Sequence, residues 1–398
     1  MKTAVFMLGM LLCANSGAEP SLPVAVPKEP FQAPRVREIT LPEIAGTDGV
    51  WGALGRDDKG RILIGVSGHR PGSEPHVLRY DPDADTVTDL GSPMAALRAA
   101  GLARDGEVQN KIHSRFVPGP DGALYFASMD ETGESQAEEV SPRWGGHLWR
   151  LAGERWEHLA AVPEALLAVG SGGGQVYALG YFGHVLYVWN GRSLDGIKVG
   201  AAGGHISRNL LVDARGHAYV PRLTATGKSA NAELVEFDAG LKELASSPLP
   251  DYLGRISPAD NHGITGLVSL ADGGVAFTTH RGQLYRLSYS GDGPASLQTL
   301  GWFHPDGEAY VPGLFTYTGQ RLIAGIAHRA GTPGFDWVVY DLKSGINAAF
   351  ALDVGRYQDL LLYGSQTHDD RGRFYVGGWT RRVEGKAQRP LLLQLTPR

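Results

Sequence analysis

A loosely repeated unit of about fifty residues runs through this chain, and it restricts the fold more than any other feature. Each unit reads as an apolar strand, a turn with Asp or Gly, a second strand, a variable loop, then two more strands. The copies hold in turn DDKGRILIGVSG with HVLRYDPDADTVTDLG, GPDGALYFASM with GGHLWRLAGERWEHLAAV, GSGGGQVYALGYFGHVLYVWNG, VDARGHAYVPRL with AELVEFDAG, LADGGVAFTTHRGQLYRLSYSG, YTGQRLIAGIAHRAGTPGFDWVVYDLKSG, and DDRGRFYVGGWTRRVEGKAQRPLLLQLTP. The strands are rich in Val, Leu, Tyr and Phe, and turn residues bound them. Only SPMAALRAAGLA, residues 92–103, has a helical pattern. Seven such units predict an all-β chain, a seven-bladed β-propeller. The last unit shows three clear strands. RVREITLP, residues 35–42, is a spare strand that can join it as the outer strand and close the ring. Closure of this kind removes an open sheet edge.

Composition agrees. Glycine is abundant, 55 of 398 residues, without the three-residue period of collagen, so it marks turns. A net charge of −5 with no run of like charges argues against nucleic acid and anionic membrane surfaces. The first residues, MKTAVFMLGMLLCANSGAEP, predict a secretory signal peptide over 1–18, with Ser16 and Ala18 placing cleavage after Ala18. Cys13 is the only cysteine and would leave with it, so the mature chain is expected to lack disulfides. Residues 19–34 form a proline-rich leader that cannot hold a helix or a central strand. The propeller is then 35–398. No later stretch is apolar enough to span a membrane as a helix, so no integral membrane association is expected. The expected location is periplasmic or extracellular.

In a propeller the strands of each blade run outward from the axis as a, b, c and d. The d–a and b–c connections share one face, here called upper. Ten of the thirteen histidines map to it, all but His158, His217 and His368. Loops on a rigid scaffold often carry function. Four groups stand out: His113 in KIHS, Arg143 and His147 in RWGGHLW, His205 and Arg208 in GGHISRNLLVD, and Asn261 and His262 in ADNHGITG. Tyr181 and Tyr187 flank His184 in GYFGHVLYVW.

Over residues 108–222, KIHS, DGALYFASM, a long loop and GGHLWRL resemble the seven-bladed polysaccharide lyases of the ulvan-lyase type. The resemblance implies β-elimination on a uronate-containing anionic polysaccharide or oligosaccharide. It makes His113 and His147 the funnel histidines, Arg208 the partner of the uronate carboxylate, and Tyr187 or Tyr181 the catalytic tyrosine. The chemistry suits these residue types. Arginine neutralises the carboxylate so that charge can develop beside it. Histidine is a base matched to neutral pH. Arg143, His205, Asn261 and His262 are expected to bind substrate.

Two other readings compete. More distantly, the oligogalacturonate lyases are metal-dependent propellers, and His113, His147, His205 and His262 could converge on one divalent metal. The other is a binding or scaffold propeller without catalysis, since one fold hosts many functions. No GxSxG elbow, P-loop or HExxH is present.

Overall fold

The computed structural model describes residues 25, 28–69, 72–132, 143–181, 184–200, 207–226, 229–252, 263–317, 321–357, 359–381 and 388–398. The proposed signal peptide lies outside them, as does most of the leader up to residue 27.

The strand β1 (Arg35–Ile39) precedes the first full blade, β2 (Leu54–Arg56), β3 (Ile62–Val66), β4 (His76–Asp81) and β5 (Thr86–Asp89). A short helix α1 (Pro93–Ala99) leads to blade two, where β6 (Lys111–Ile112) and β7 (Val117–Pro118) together make strand a, followed by β8 (Leu124–Met129), β9 (Gly146–Ala152) and β10 (Arg155–Val162). Blade three is β11 (Leu166–Gly172), β12 (Gln175–Gly180), β13 (Val185–Trp189) and β14 (Leu194–Lys198). Blade four is β15 (Leu211–Val212), β16 (Ala218–Thr226), β17 (Ser229–Phe237) and β18 (Glu243–Pro248). Blade five is β19 (Ile264–Ser269), β20 (Val275–Thr279), β21 (Gln283–Ser288) and β22 (Ser296–Trp302). Blade six is β23 (Tyr310–Thr316), β24 (Leu322–His328), β25 (Phe335–Asp341) and β26 (Asn347–Leu352). Blade seven is β27 (Asp359–His368), β28 (Phe374–Arg381) and β29 (Arg389–Thr396), with β1 as its outer strand.

The expected ring closure is present. β1 pairs antiparallel with β29 from Arg35 opposite Thr396 to Ile39 opposite Leu392. The expected helix is also there: the Ser92 hydroxyl accepts the Ala95 N–H as its N-cap, Pro93 opens it, and Met94 and Leu97 are buried.

Burial explains the strand sequences. β3 and β8 are buried along their whole length because blades cover both their faces, so they read as nearly continuous apolar runs, with Ser128 the polar exception. Outer strands such as β5 and β14 face solvent and are polar. The core is divided into clusters between neighbouring blades, one for each pair and a second, small one between blades two and three. Phe126 and Trp149 of blade two pack with Leu63 and Val77 of blade one, and Phe374 of blade seven packs with Phe315 and Trp337 of blade six.

The a–b turns on the lower face repeat one device. In blades one, four and seven an Asp opens the turn and accepts backbone N–H groups two and four residues on. Gly60, Gly216 and Gly372 follow with φ of 71°, 88° and 76°, a conformation that favours glycine.

Candidate functional site

The upper mouth of the central channel is built by bulges in the inner strands. In blade two Ile112 faces Ser128 and Val117 faces Tyr125, so the inner strand carries extra residues between them. Blade seven does the same between Leu362 and Gln366. Blades three, five and six each carry a register shift near the start of strand a. Bulges re-aim side chains, and here they turn residues into the channel.

His113 stands in the first of these bulges and is buried. Serine clamps hold its two neighbours. The Ser67 hydroxyl of blade one accepts the Ile112 N–H at 2.9 Å. The Ser114 hydroxyl accepts the Ala127 N–H at 2.7 Å, replacing the ladder bond that the bulge removes. Gly52, at φ 117°, lies so close that a Cβ there would meet the His113 carbonyl at 2.6 Å and its Nδ1 at 3.3 Å. Arg208 arrives from blade four. Its neighbour Asn209 is tied to blade five, the amide donating to the Ile264 carbonyl at 2.9 Å.

Arg208 Nη1 donates to His113 Nε2 at 2.6 Å. Arginine has only donors, so Nε2 accepts and the ring proton belongs on Nδ1. Tyr363, in the blade-seven bulge, touches both: its ring lies 5.6 Å from the His113 ring and 5.1 Å beneath the Arg208 guanidinium. Burial raises the Tyr363 phenol above its ordinary pKa, and Arg208 opposes the shift. Thr265 and Tyr310 complete the pocket, which encloses about 10 Å³, room for roughly one water molecule.

A polar arc borders this pocket. Trp51 packs edge-on against Tyr363 at 5.4 Å and against His69 at 4.6 Å. Lys111 Nζ lies 5.0 Å from the Trp51 ring, donates to His69 Nε2 at 3.0 Å, and donates to Glu131 at 2.6 Å. His69 Nδ1 lies 3.0 Å from Asp48 Oδ2.

The structure therefore brings together two of the residues singled out in the sequence, His113 and Arg208. It does not bring His147 to them. His147 opens β9, the third strand of its blade, and two strand spacings set it about 10 Å farther from the axis. There its Nδ1 lies 2.9 Å from His158 Nε2 and its Nε2 lies 3.0 Å from Glu107 Oε1. Burial, then the neighbouring His158, push His147 down to about 4. Tyr187 is displaced for the same reason. It lies on β13, also a third strand, donates to Glu164 at 2.8 Å, and burial raises its pKa. Tyr181 is buried with Met129, Ala165 and Leu167. Arg143 is exposed and stacks on Trp144 at 4.5 Å. His205, Asn261 and His262 lie outside the described residues. The four-histidine metal site is not assembled by His113 and His147, and among the described residues no group of three or more His, Cys, Asp or Glu is placed to hold a metal.

Sequence reasoning missed Tyr363, Thr265, Tyr310, Trp51 and Lys111. For all but Tyr363 the signal that could have found them is position: each stands at or near the upper end of an inner strand.

The sequence matches no protein-family model and no curated protein. Solved propellers share its fold. A catalytically inactive histidine-to-alanine variant of virginiamycin B lyase from Staphylococcus aureus, with quinupristin, has a TM-score of 0.56 at 11% identity, covering 92% of this chain and 99% of that one. A protein of unknown function from Dyadobacter fermentans has 0.53 at 12% identity, over 91% and 99%. The Cps50 (Swd1) β-propeller domain of Myceliophteria thermophila has 0.52 at 12% identity, over 91% and 100%. At such identities what is shared is the seven-bladed fold, which is the part of the sequence resemblance these matches support.

Proposed function

We propose that the channel mouth is the catalytic centre of a lyase acting by β-elimination on a uronate-containing glycan outside the cytoplasm. The observation that carries this reading is the 2.6 Å contact of Arg208 with His113 beside Tyr363. In it a fixed cation, a neutral imidazole whose Nε2 accepts from that cation, and a phenol meet at one point. The pocket is too small for a sugar ring. A glycan would lie across the mouth and direct its carboxylate to Arg208. Arg208 then leaves His113 Nε2 for the carboxylate and stabilises the charge that develops there. His113 Nε2 takes the C5 proton. The C5–H electron pair forms the C4–C5 double bond as the C4–O4 bond breaks, and the Tyr363 hydroxyl gives its proton to O4. Tyr363 takes the role that the resemblance assigned to Tyr187 or Tyr181. Support by analogy comes from virginiamycin B lyase, a lyase of the same fold whose described variant is inactive with one histidine replaced by alanine.

The narrowness of the pocket favours a second reading, a binding propeller that uses its upper face without turnover. One experiment separates them. Uronate polysaccharides are incubated with the protein and the ultraviolet absorbance of the unsaturated uronate product is followed. Elimination requires a rise that His113→Ala abolishes. Glycan binding without any rise would favour the binding reading.

A further inference from the structure

Below the mouth, the channel holds a cation that the elimination reading does not use. Arg115 follows His113 by two residues on the inner strand of blade two. Its Nη2 reaches the Gln366 carbonyl of blade seven at 3.5 Å. Blade one stands between those two blades, so the side chain must cross the channel to make this contact. Gln366 in turn donates from its amide to the Leu267 carbonyl of blade five at 2.6 Å. Arg115 therefore sits in a polar layer on the axis, below the His113–Arg208 pair.

Its partners are few. A guanidinium has five N–H donors. The one hydrogen bond that Arg115 makes among the described residues is at the long limit for such bonds. Burial pushes its pKa down to about 10, and no carboxylate among the described residues offsets that. The other arginines along the inner strands are engaged. Arg208 is on His113 above, and Arg56 at the lower end donates to Asp370 at 2.6 Å and lies 3.2 Å from His368 Nδ1. Arg115 is partly buried, a charge in that position without a counter-charge among the described residues is costly, and the guanidinium fork matches a carboxylate or takes a single ion.

We propose that Arg115 is the centre of an anion-binding site inside the axial channel, taking one small monovalent anion, a halide or a carboxylate group, at its guanidinium. The anion comes either free from solution or as the carboxylate of a bound sugar acid. The site stands independently of the elimination reading, and its tests do not measure turnover.

Bromide, acetate and galacturonate serve as probes. Each is titrated into the full chain at constant ionic strength while thermal unfolding is followed. A saturable rise in Tm of a few degrees is expected, as for any ligand bound by the native state. Arg115→Gln loses the rise, Arg115→Lys keeps part of it, and Arg155→Gln on the surface keeps all of it. A bromide-soaked crystal of the unmutated protein should show an anomalous peak at the guanidinium, which keeps the test intact if Arg115→Gln fails to fold. A response to bromide and acetate identifies a free ion; a response to galacturonate alone identifies the sugar acid. No saturable rise with any probe, an undiminished rise in Arg115→Gln, or a peak elsewhere with none at Arg115 overturns the proposal.

Discussion

The lower-face turns and the upper channel mouth use similar residues in opposite ways. At Asp213, Oδ1 accepts the N–H groups of Arg215 at 2.8 Å and His217 at 3.1 Å, while Oδ2 accepts Arg215 Nε at 2.9 Å and the Tyr219 hydroxyl at 2.7 Å. Asp369 repeats the arrangement with Arg371, Arg373 and Tyr375. All these partners lie within six residues of the carboxylate. At the mouth, Arg208 and His113 are 95 residues apart and come from different blades. The lower clusters pair each arginine with a carboxylate; the mouth pairs an arginine with an imidazole and a phenol. Local, matched charges lock a turn. Distant partners that include a cation and a base can exchange their mutual contact for one with a ligand, and this is the division expected between a scaffold and a site.

The comparison can be broken at either end. The largest effect belongs to the mouth: His113→Ala lowers the rate of unsaturated-product formation by about 10²- to 10⁴-fold while the unfolding midpoint moves little. Equal losses of rate and stability would make His113 a packing residue. Next comes the lower face. Asp213→Ala takes a carboxylate from Arg215 and Tyr219, leaves Arg215 with Glu236 at 3.1 Å, and should cost about 2–3 kcal/mol in urea unfolding with the rate per folded molecule unchanged. A cost under about 1 kcal/mol would remove the lower face from the scaffold role.

A third test sharpens the comparison along the pH axis. Burial pushes His147, His184 and His368 down to about 4, below the ordinary value near 6.5. Between those values the unfolded chain binds protons that the native chain excludes. Stability is therefore complete above about pH 6.5 and falls as pH drops toward 4, by up to about 1.4 kcal/mol per pH unit for each histidine. Urea midpoints at pH 7 and pH 5 measure it, and His147→Gln should flatten the slope. The smallest effect tests the outer strands: Tyr187→Phe removes the bond to Glu164, costs about 1–2 kcal/mol, and leaves the reaction rate unchanged. A rate loss there would return Tyr187 to the site.

The repeat, the turns, the helix at Ser92 and the closing strand at Arg35 were legible because each depends on contacts or patterns local in the chain. Arg208 and His113 were legible as residue types at the upper ends of inner strands. The placing of His147 and Tyr187 failed on radius. Sequence shows that a residue opens a strand, but the distance from the axis depends on which strand of the blade it is, and the upper face alone does not supply that. Tyr363 was hidden for another reason: it stands inside a bulge, where extra residues break the alternation that sequence reading relies on.

By itself the sequence determined the period, the number of blades and the closure, since apolar alternation and Asp–Gly turns act over a few residues. Only the tertiary structure decided which polar groups meet. Seven inner strands converge on one axis, so groups from blades two, four and seven come within contact at His113, Arg208 and Tyr363, and Arg115 reaches across to the Gln366 carbonyl of blade seven. That convergence is a property of the closed ring.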